Sequence, residues 1–550
     1  MTEQVPTADL LIVGGGINGA AIARDAAGRG LSVLLCERDD IASHTSSAST
    51  KLIHGGLRYL EQFEFALVGK ALAERKRLLR MAPHIIWPLR FVLPHQPHLR
   101  PAWMIRIGLF LYDRLGGRRG RGLPGSRSVN LRKHIAGRPL QDDFVRGFVY
   151  SDAWVQDARL CVLNAMDASE RGATVLTRTA CVSATRGEHD WQVQLRGADG
   201  APRTVRARAL VNATGPWAAR FLDEVAHVPH NHTLRLIKGS HIVVPKLFDH
   251  DHAYIFQQPD RRIVFAIPYE HDYTLIGTTD VDYREDPSSP RIDQAETQYL
   301  CEAASRYFKR PIRPDDVVWT YSGVRPLLDD DSDQASEITR DYLLTLDPQG
   351  APLLNVFGGK LTTSRKLAEE ACDTLSPLFG APRPAWTGGA PLPGGDLPDA
   401  NFEAFHEDFS LRRPWLPDAL ALRLCRNYGS RALRIVESCS HLEELGERFG
   451  SDLYAAEVDY LIDFEWARTA EDILWRRSKL GLRIDAQGQR RLQEYVAMRL
   501  GARMARFKRW RSFAFARHSR EGGNPVPFVR ERLKSLDSRL RGNDGLKEPR

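Results

Sequence analysis

No apolar run in this 550-residue chain approaches the roughly eighteen residues a bilayer-spanning helix needs, so none is expected. No secretory leader is expected either. The run from Leu10 to Val13 is short, no basic stretch precedes it, and glycines follow it. Cysteine is sparse and scattered, at Cys36, Cys161, Cys181, Cys301, Cys372, Cys425 and Cys439, with no C-x-x-C pair. That spacing argues against a disulfide framework or a zinc site and suits a reducing, cytoplasmic compartment. The main body also lacks excess positive charge. The net charge is +8, but residues 501–550 hold 14 Lys/Arg against 5 Asp/Glu, which leaves −1 on the rest. The basic balance therefore belongs to the tail, and nucleic-acid binding by the body is not expected. Metal ligands at useful spacing are lacking as well. Asp249-His250-Asp251-His252 and His230-Asn231-His232 lie in loops without further ligands. Asp329-Asp330-Asp331-Ser332-Asp333 has Gln334 where a calcium loop requires glycine and Arg340 where it requires a bidentate Glu. No metal is expected.

What is present begins at Asp9. The apolar run Leu10-Leu11-Ile12-Val13 leads into Gly14-Gly15-Gly16-Ile17-Asn18-Gly19-Ala20, an Ala-rich stretch follows, and Val33-Leu34-Leu35-Cys36 ends on Glu37. The pattern predicts strand, tight turn, helix, strand. Gly14 permits the sharp turn, Gly16 lets a pyrophosphate approach the backbone, and Gly19 lets the helix pack on the strand. Unpaired N–H groups and the dipole at the helix start favour the phosphates. Glu37, at the end of the second strand, is placed to accept from a ribose 2′-hydroxyl. These residues point to a dinucleotide and leave FAD and NAD undivided.

The segment Thr45-Ser46-Ser47-Ala48-Ser49-Thr50-Lys51-Leu52-Ile53-His54-Gly55-Gly56 is rich in small hydroxyl residues and suits a loop laid against a flat cofactor. Phe63–Met81 reads as a helix with Lys70, Glu74, Lys76 and Arg77 on its solvent face. Trp103–Tyr112 is aromatic and basic. It reads either as a buried helix of a second domain or as a segment lying in a membrane interface. Gly116–Gly125 reads as a mobile Gly/Arg loop. A strand through Ala180-Cys181-Val182 is expected to pass the adenine. Ala213-Thr214-Gly215-Pro216-Trp217 ends another strand and is a second approach to the dinucleotide. From Thr233 to about Leu346 the pattern is β-rich, a separate substrate-facing sheet. Leu353–Phe357 returns to a strand, and Gly358-Gly359-Lys360-Leu361-Thr362-Thr363 opens a helix, hardware for an anionic group. Residues 382–398 form a Pro/Gly-rich linker. From 399 to 512 the periodicity is helical, including Glu457–Trp475, and the basic stretch 513–550 reads as a disordered tail.

Six motifs together resemble the FAD-dependent, respiratory glycerol-3-phosphate dehydrogenases of the bacterial aerobic type. They are Gly14–Ala20, Ser46 through Arg58-Tyr59-Leu60, Leu236-Ile237-Lys238-Gly239-Ser240-His241, Tyr321-Ser322-Gly323-Val324-Arg325-Pro326-Leu327, Ile338-Thr339-Arg340-Asp341-Tyr342 and Phe357–Thr363. The likeness runs from about residue 8 to about 505, and the tail has no counterpart.

The resemblance implies a multidomain α/β and α+β protein. Its Rossmann-like FAD-binding domain, of the glutathione-reductase and D-amino-acid-oxidase type, would be assembled from residues 8–82, 148–232 and 348–381. Residues 83–147 would be a substrate-side insertion, 233–347 a β-sheet substrate domain and 399–512 an all-α C-terminal domain. The implied reaction is oxidation of sn-glycerol 3-phosphate to dihydroxyacetone phosphate, with electrons passing through FAD to ubiquinone. The implied setting is the cytoplasmic face of the inner membrane, peripherally bound and as a homodimer. The implied FAD contacts are Gly14, Gly16, Ile17, Asn18, Gly19, Glu37, Ser46, Ser49, Lys51, Leu52, His54, Cys181, Ala213, Thr214, Gly215, Trp217, Gly358, Gly359, Leu361 and Thr362. Arg58, Tyr59, Arg340 and Lys360 would bind the substrate. Arg325 and His241 would stand at its C2 oxygen, where His is the natural base near neutral pH and Arg can hold an alkoxide. The competing expectations are an oxidase of the same fold that uses O2, a nicotinamide-dependent dehydrogenase, and a non-catalytic flavin scaffold.

Overall fold

The computed structural model describes residues 7–57, 60, 64–96, 100–115, 123–260, 262–328, 341–380 and 383–518, with only the helical backbone over 503–518. Arg58, Tyr59, the 329–340 stretch with its acidic run and Arg340, most of the Gly/Arg loop, and residues 519–550 lie outside the described residues. The chain divides into two compact units, residues 1–493 and residues 494–550. The second unit contributes the later part of the helix Ala486–His518.

Two large sheets organise the first unit. Among the described residues the first has eight strands. Its parallel centre orders Leu353–Gly358, Pro202–Asn212, Thr7–Val13, Val33–Cys36 and Thr174–Leu176, with Tyr342–Asp347 antiparallel at one edge. The antiparallel strands Thr179–Arg186 and Trp191–Gly197 extend it from Pro202–Asn212. A parallel centre must be covered on both faces. On one face the helices Ile17–Gly28 and Ser364–Leu375 lay Ala21, Ala23, Ala26, Leu367 and Ala371 on Leu10, Ile12 and Leu35. On the other, Trp191, Val193 and Leu195 join Phe221 and Leu222 over Leu11, Leu34 and Leu210.

Among the described residues the second sheet has ten strands. Its longest pairing sets Leu234–Pro245 antiparallel to Trp319–Leu328, with His241 opposite Tyr321 and Ile237 opposite Arg325. It also takes Leu52–Ile53, Ile86–Pro94, Arg127–Asn130 and Arg146–Val155. Two strands thus fall in the other sheet from the one their neighbours in sequence suggest. Arg146–Val155 pairs with Ile86–Pro94 along nine residue pairs, and Tyr342–Asp347 joins the first sheet. Sequence distance does not reveal sheet membership when both sheets are built from discontinuous pieces.

The C-terminal part is helical, with a short hairpin at Arg448–Gly450 and Leu453–Tyr454. The helix expected over Glu457–Trp475 is two pieces, Ala455–Phe464 and Asp472–Arg477. The break carries Trp466 at φ +58 and a wholly buried Glu465 whose carboxylate accepts from the two terminal guanidinium nitrogens of Arg159.

Phe65–Met81 is a helix, but Glu74 is buried rather than on its solvent face. The Arg365 guanidinium donates to both Glu74 oxygens, at 2.6 and 2.7 Å, and a buried carboxylate is tolerated only when so paired. Ala102–Leu115 is also a helix, with only Leu109 and Tyr112 buried. Trp103 is 64% exposed, and Ile107, Phe110 and Leu111 are exposed beside it, so this is not the buried helix of the first alternative.

Candidate functional site

Two joined cavities occupy the ends of the central strands. The first, of about 350 Å³, is lined by Gly14, Gly16, Ile17, Asn18, Glu37, Ser46, Cys181, Ala213, Thr214, Gly215, Trp217, Gly358 and Gly359, all expected FAD contacts, together with others. The second, of about 300 Å³, takes in Ser49, Leu52, His54, Arg325, Lys360, Leu361 and Thr362. Ile17, Thr45, Ser46, Pro326, Gly358 and Gly359 line both.

The glycines of the turn are there because nothing else fits. Gly14 has φ +111, and a Cβ on it would stand 2.4 Å from the Ala213 carbonyl oxygen. A Cβ on Gly19 would stand 2.0 Å from the Gly14 oxygen. Gly16 is more open, with only the Ser46 hydroxyl within 3.2 Å. That hydroxyl accepts from the Ile17 N–H at 3.0 Å, at the start of the first helix. Asn18 ties the turn to the far end of the domain, its amide donating to the Gly358 carbonyl at 3.0 Å. Its own oxygen is buried and has no partner among the described residues. Glu37 accepts from the Gly15 N–H at 2.6 Å and the Asp39 N–H at 2.8 Å. Burial pushes its carboxyl up, and these two N–H groups pull it down. A glycine-lined helix start and an acid at the end of the second strand are what a dinucleotide requires.

Three expected contacts stand elsewhere. Gly19 packs the helix on the turn and lines neither cavity. Lys51 is turned away and fully buried, its ammonium donating to both Asp157 oxygens at 2.9 and 2.8 Å and to the Ser47 carbonyl. Asp157 also accepts from the Ser49 hydroxyl and N–H, so one carboxylate at the start of helix Asp157–Glu170 shapes the hydroxyl-rich loop. His241 is 1% exposed and reaches the second cavity only through Thr50, whose hydroxyl lies 2.9 Å from its Nε2. Its ring stacks on Tyr321 at 4.7 Å. Burial, with Arg325 and Lys51 nearby, holds it well below its ordinary value, so it is neutral at pH 7.

Arg325 is brought to the second cavity and fixed there. Its guanidinium donates to Asp280 at 2.5 Å and to the Thr278 hydroxyl at 3.0 Å. Asp280 and Thr278 both line the cavity and were not anticipated. Their only signal in the sequence is a polar Thr278-Thr279-Asp280 turn closing an apolar strand. Lys360 lines the same cavity, between Gly359 and Leu361 in the chain. Arg38 and His44 were missed as well. The Arg38 guanidinium lies 4.0 Å from the Trp217 ring centroid, and His44 meets the same ring edge-on. Among the described residues, Glu37, Asp39 and His44 form the one acid–imidazole group close enough to hold a cation, and the Glu37 oxygens already serve backbone N–H groups. The His/Asp tracts at 230–232 and 249–252 form no such cluster there.

A discontinuous parallel sheet with a glycine-cradled cavity, opening into a cation-bearing second cavity, defines an oxidoreductase built on a dinucleotide cofactor. Comparison with known proteins identifies the cofactor. Residues 9–365 match the family described as FAD dependent oxidoreductase, and residues 385–507 match the C-terminal domain of alpha-glycerophosphate oxidase. A glycerol-3-phosphate dehydrogenase of Pseudomonas aeruginosa is 56% identical over 500 residues, covering 90% of this chain and 96% of that protein. A D-erythritol 1-phosphate dehydrogenase of Brucella abortus is 52% identical, covering 86% and 94%. The solved structure of the Bacillus halodurans glycerol-3-phosphate dehydrogenase complexed with FAD matches with a TM-score of 0.70 at 26% identity, covering 100% of this chain and 97% of that one. The chain belongs to the FAD-dependent glycerol-3-phosphate dehydrogenase family. Its cofactor is FAD, and the glycine cradle and the orphaned Asn18 oxygen fit that group.

Proposed function

We propose that the protein oxidises sn-glycerol 3-phosphate at C2 to dihydroxyacetone phosphate and passes the electrons to ubiquinone at the cytoplasmic face of the inner membrane, as a homodimer. The observation that carries this reading is the pairing of the two cavities. One has the glycine cradle, and the other, which shares Ile17, Thr45, Ser46, Pro326, Gly358 and Gly359 with it, is lined by Arg325 and Lys360. Bound FAD supplies the hydride acceptor.

The rest is work for this chain's side chains. A phosphate dianion needs fixed cations, for which Arg is a planar clamp and Lys a point charge. Lys360 serves the anionic end, and Arg58, Tyr59 and Arg340, outside the described residues, are assigned to the substrate from their motifs alone. Arg325, braced by Asp280 and Thr278, is oriented before substrate arrives, which favours charge developing on the C2 oxygen. His241 is neutral but a weakened base, held well below its ordinary value by burial, Arg325 and Lys51; its Nε2, 2.9 Å from the Thr50 hydroxyl, relays the C2 hydroxyl proton rather than keeping it.

Electron delivery to O2 is not favoured, because close curated relatives are named dehydrogenases. The exposed apolar face of helix Ala102–Leu115, flanked by Arg106 and Arg114, supports a peripheral membrane contact. The deciding experiment is steady-state reduction of a quinone analogue with glycerol 3-phosphate, D-erythritol 1-phosphate, glycerol and lactate, with peroxide followed alongside. Turnover confined to the polyol phosphates, with little peroxide, is expected. Equal turnover of glycerol or lactate would overturn the substrate reading, and equal use of O2 the acceptor reading.

A further inference from the structure

The second cavity has an apolar wall that a wholly polar substrate leaves unexplained. Besides Arg325, Lys360, Thr278 and Asp280, the cavity is lined by Phe91, Tyr150, Ile255, Ile263 and Phe265. These side chains come from strands Ile86–Pro94, Arg146–Val155, His252–Gln257 and Ile263–Tyr269 of the second sheet. None of them stands in a cofactor motif, whereas Ile17, Leu52 and Leu361, which also line the cavity, do. A three-carbon phosphate with an oxygen on every carbon has no apolar part to lay on such a wall.

The wall adjoins the reacting end of the site. Phe265 pairs with Gly277, one residue before Thr278, and the Thr278 hydroxyl accepts from the Arg325 guanidinium at 3.0 Å. From there the rings run outward. Phe265 meets Phe91 edge-on at 6.1 Å, Phe91 stacks on Tyr150 at 5.4 Å, and Tyr150 meets Tyr112 edge-on at 6.0 Å. Tyr112 belongs to helix Ala102–Leu115, which exposes Trp103, Ile107 and Phe110. Ile263 and Phe265 are half-buried, so the wall offers apolar surface to the cavity and is not sealed within the core. With C2 at Arg325 and the phosphate at Lys360, the C1 oxygen is the one left to carry a substituent along this wall.

We propose that the wall takes an alkyl or acyl chain borne on the C1 oxygen, so that the enzyme oxidises 1-O-alkyl- or 1-acyl-sn-glycerol 3-phosphate as well as the free polyol phosphate. The inference rests on the glycerol 3-phosphate reading of the same site. The step is unchanged. The C2–H bond breaks and its hydride passes to FAD, the C2–O bond becomes a carbonyl, and the hydroxyl proton leaves through Thr50 and His241. The product is the 1-substituted dihydroxyacetone phosphate, with the C1 linkage intact. A methylene moved from water onto the wall stays there as the substrate reaches the transition state, so the gain falls in kcat/KM.

The test gives the FAD-loaded full chain sn-glycerol 3-phosphate and its 1-O-methyl, 1-O-butyl and 1-O-hexyl ethers, each below its micelle concentration, with ferricyanide as the acceptor so that no quinone takes part. From methyl to hexyl, kcat/KM is expected to rise by up to about fourfold for each methylene the wall buries. A value that stays flat or falls along the series overturns the proposal. Ile263→Asn and Phe265→Ser should each lower kcat/KM for the hexyl ether about tenfold relative to that for glycerol 3-phosphate. A ratio unmoved in both variants also overturns it. If glycerol 3-phosphate is oxidised and the hexyl ether is not, the proposal falls and the polyol phosphate reading stands. If the ether alone is oxidised, that reading falls and the apolar wall stands. Oxidation of neither removes both.

Discussion

Replacing Asp40 by Asn tests whether the C-terminal domain supports the wall of the cofactor cavity. Asp40 is 1% exposed and lies three residues beyond Glu37. It accepts from Arg477 at 2.6 and 2.9 Å, from Arg476 at 2.7 Å and from Arg178 at 3.3 Å. Arg178 and Thr179 in turn donate their N–H groups to the Asp39 and Glu37 carbonyls at 2.8 and 2.7 Å. Burial pushes the Asp40 carboxyl up, and the Arg477 and Arg476 guanidiniums outweigh it, leaving it at about 2. A carboxyl that titrates lower in the folded state contributes stability at every pH above its unfolded value near 3.8. It loses that contribution as pH falls through about 2. The displacement corresponds to about 2.5 kcal/mol at neutral pH. The amide would also strand two buried guanidiniums, and breaking a buried pair costs about 3–5 kcal/mol. We expect a loss of about 3 kcal/mol, with flavin released at a lower temperature than in the unmodified protein. A chain of this size need not unfold in one step, so flavin fluorescence and circular dichroism should be followed separately on heating. Adding Arg477→Met removes one stranded charge, and the double variant should lose less than the two single losses combined by at least about 1 kcal/mol. An Asp40→Asn protein that unfolds and releases flavin where the unmodified protein does would refute the reasoning.

Arg325→Ala should lower kcat/KM for glycerol 3-phosphate about a hundredfold by removing a braced, charge-assisted donor, and Arg325→Lys should recover only part; a steady-state comparison that finds no loss removes Arg325 from the site. Burial, then Arg159 and Arg426, hold His84 down to about 3, so the unfolded chain takes up a proton that the folded chain refuses as pH falls below about 6.5. Between pH 7 and pH 5 that costs about 2 kcal/mol, and urea midpoints should show His84→Gln losing less over this interval than the unmodified protein. Trp103→Ser, Ile107→Ser and Phe110→Ser together should abolish flotation with anionic liposomes once residues 519–550 are deleted, and a triple variant that still floats places the membrane contact elsewhere.

The cofactor site was legible where function depends on neighbours in sequence. Gly14 to Gly19 announce a turn because steric demands on a backbone are local, and Gly358-Gly359 announce another for the same reason. Charged side chains were less legible, because what fixes them is a distant partner. Helix periodicity put Glu74 in solvent, but its partner Arg365 is 291 residues away. Lys51 stands in a cofactor motif, and Asp157, 106 residues on, turns it into the core. His241 was expected at the substrate, and strand pairing with Tyr321 places it one hydroxyl back, behind Thr50.

Residue order alone pointed to the family, the glycine turns and the general plan, because turns, strand periodicity and motif spacing are properties of short segments. The tertiary structure decided which cations meet in the second cavity. It also decided which buried charges are braces, and that the cofactor cavity and the second cavity join at the ends of the central strands. Those are matters of desolvation and of partners brought together across hundreds of residues, and burial in three dimensions exists only once both sheets have formed.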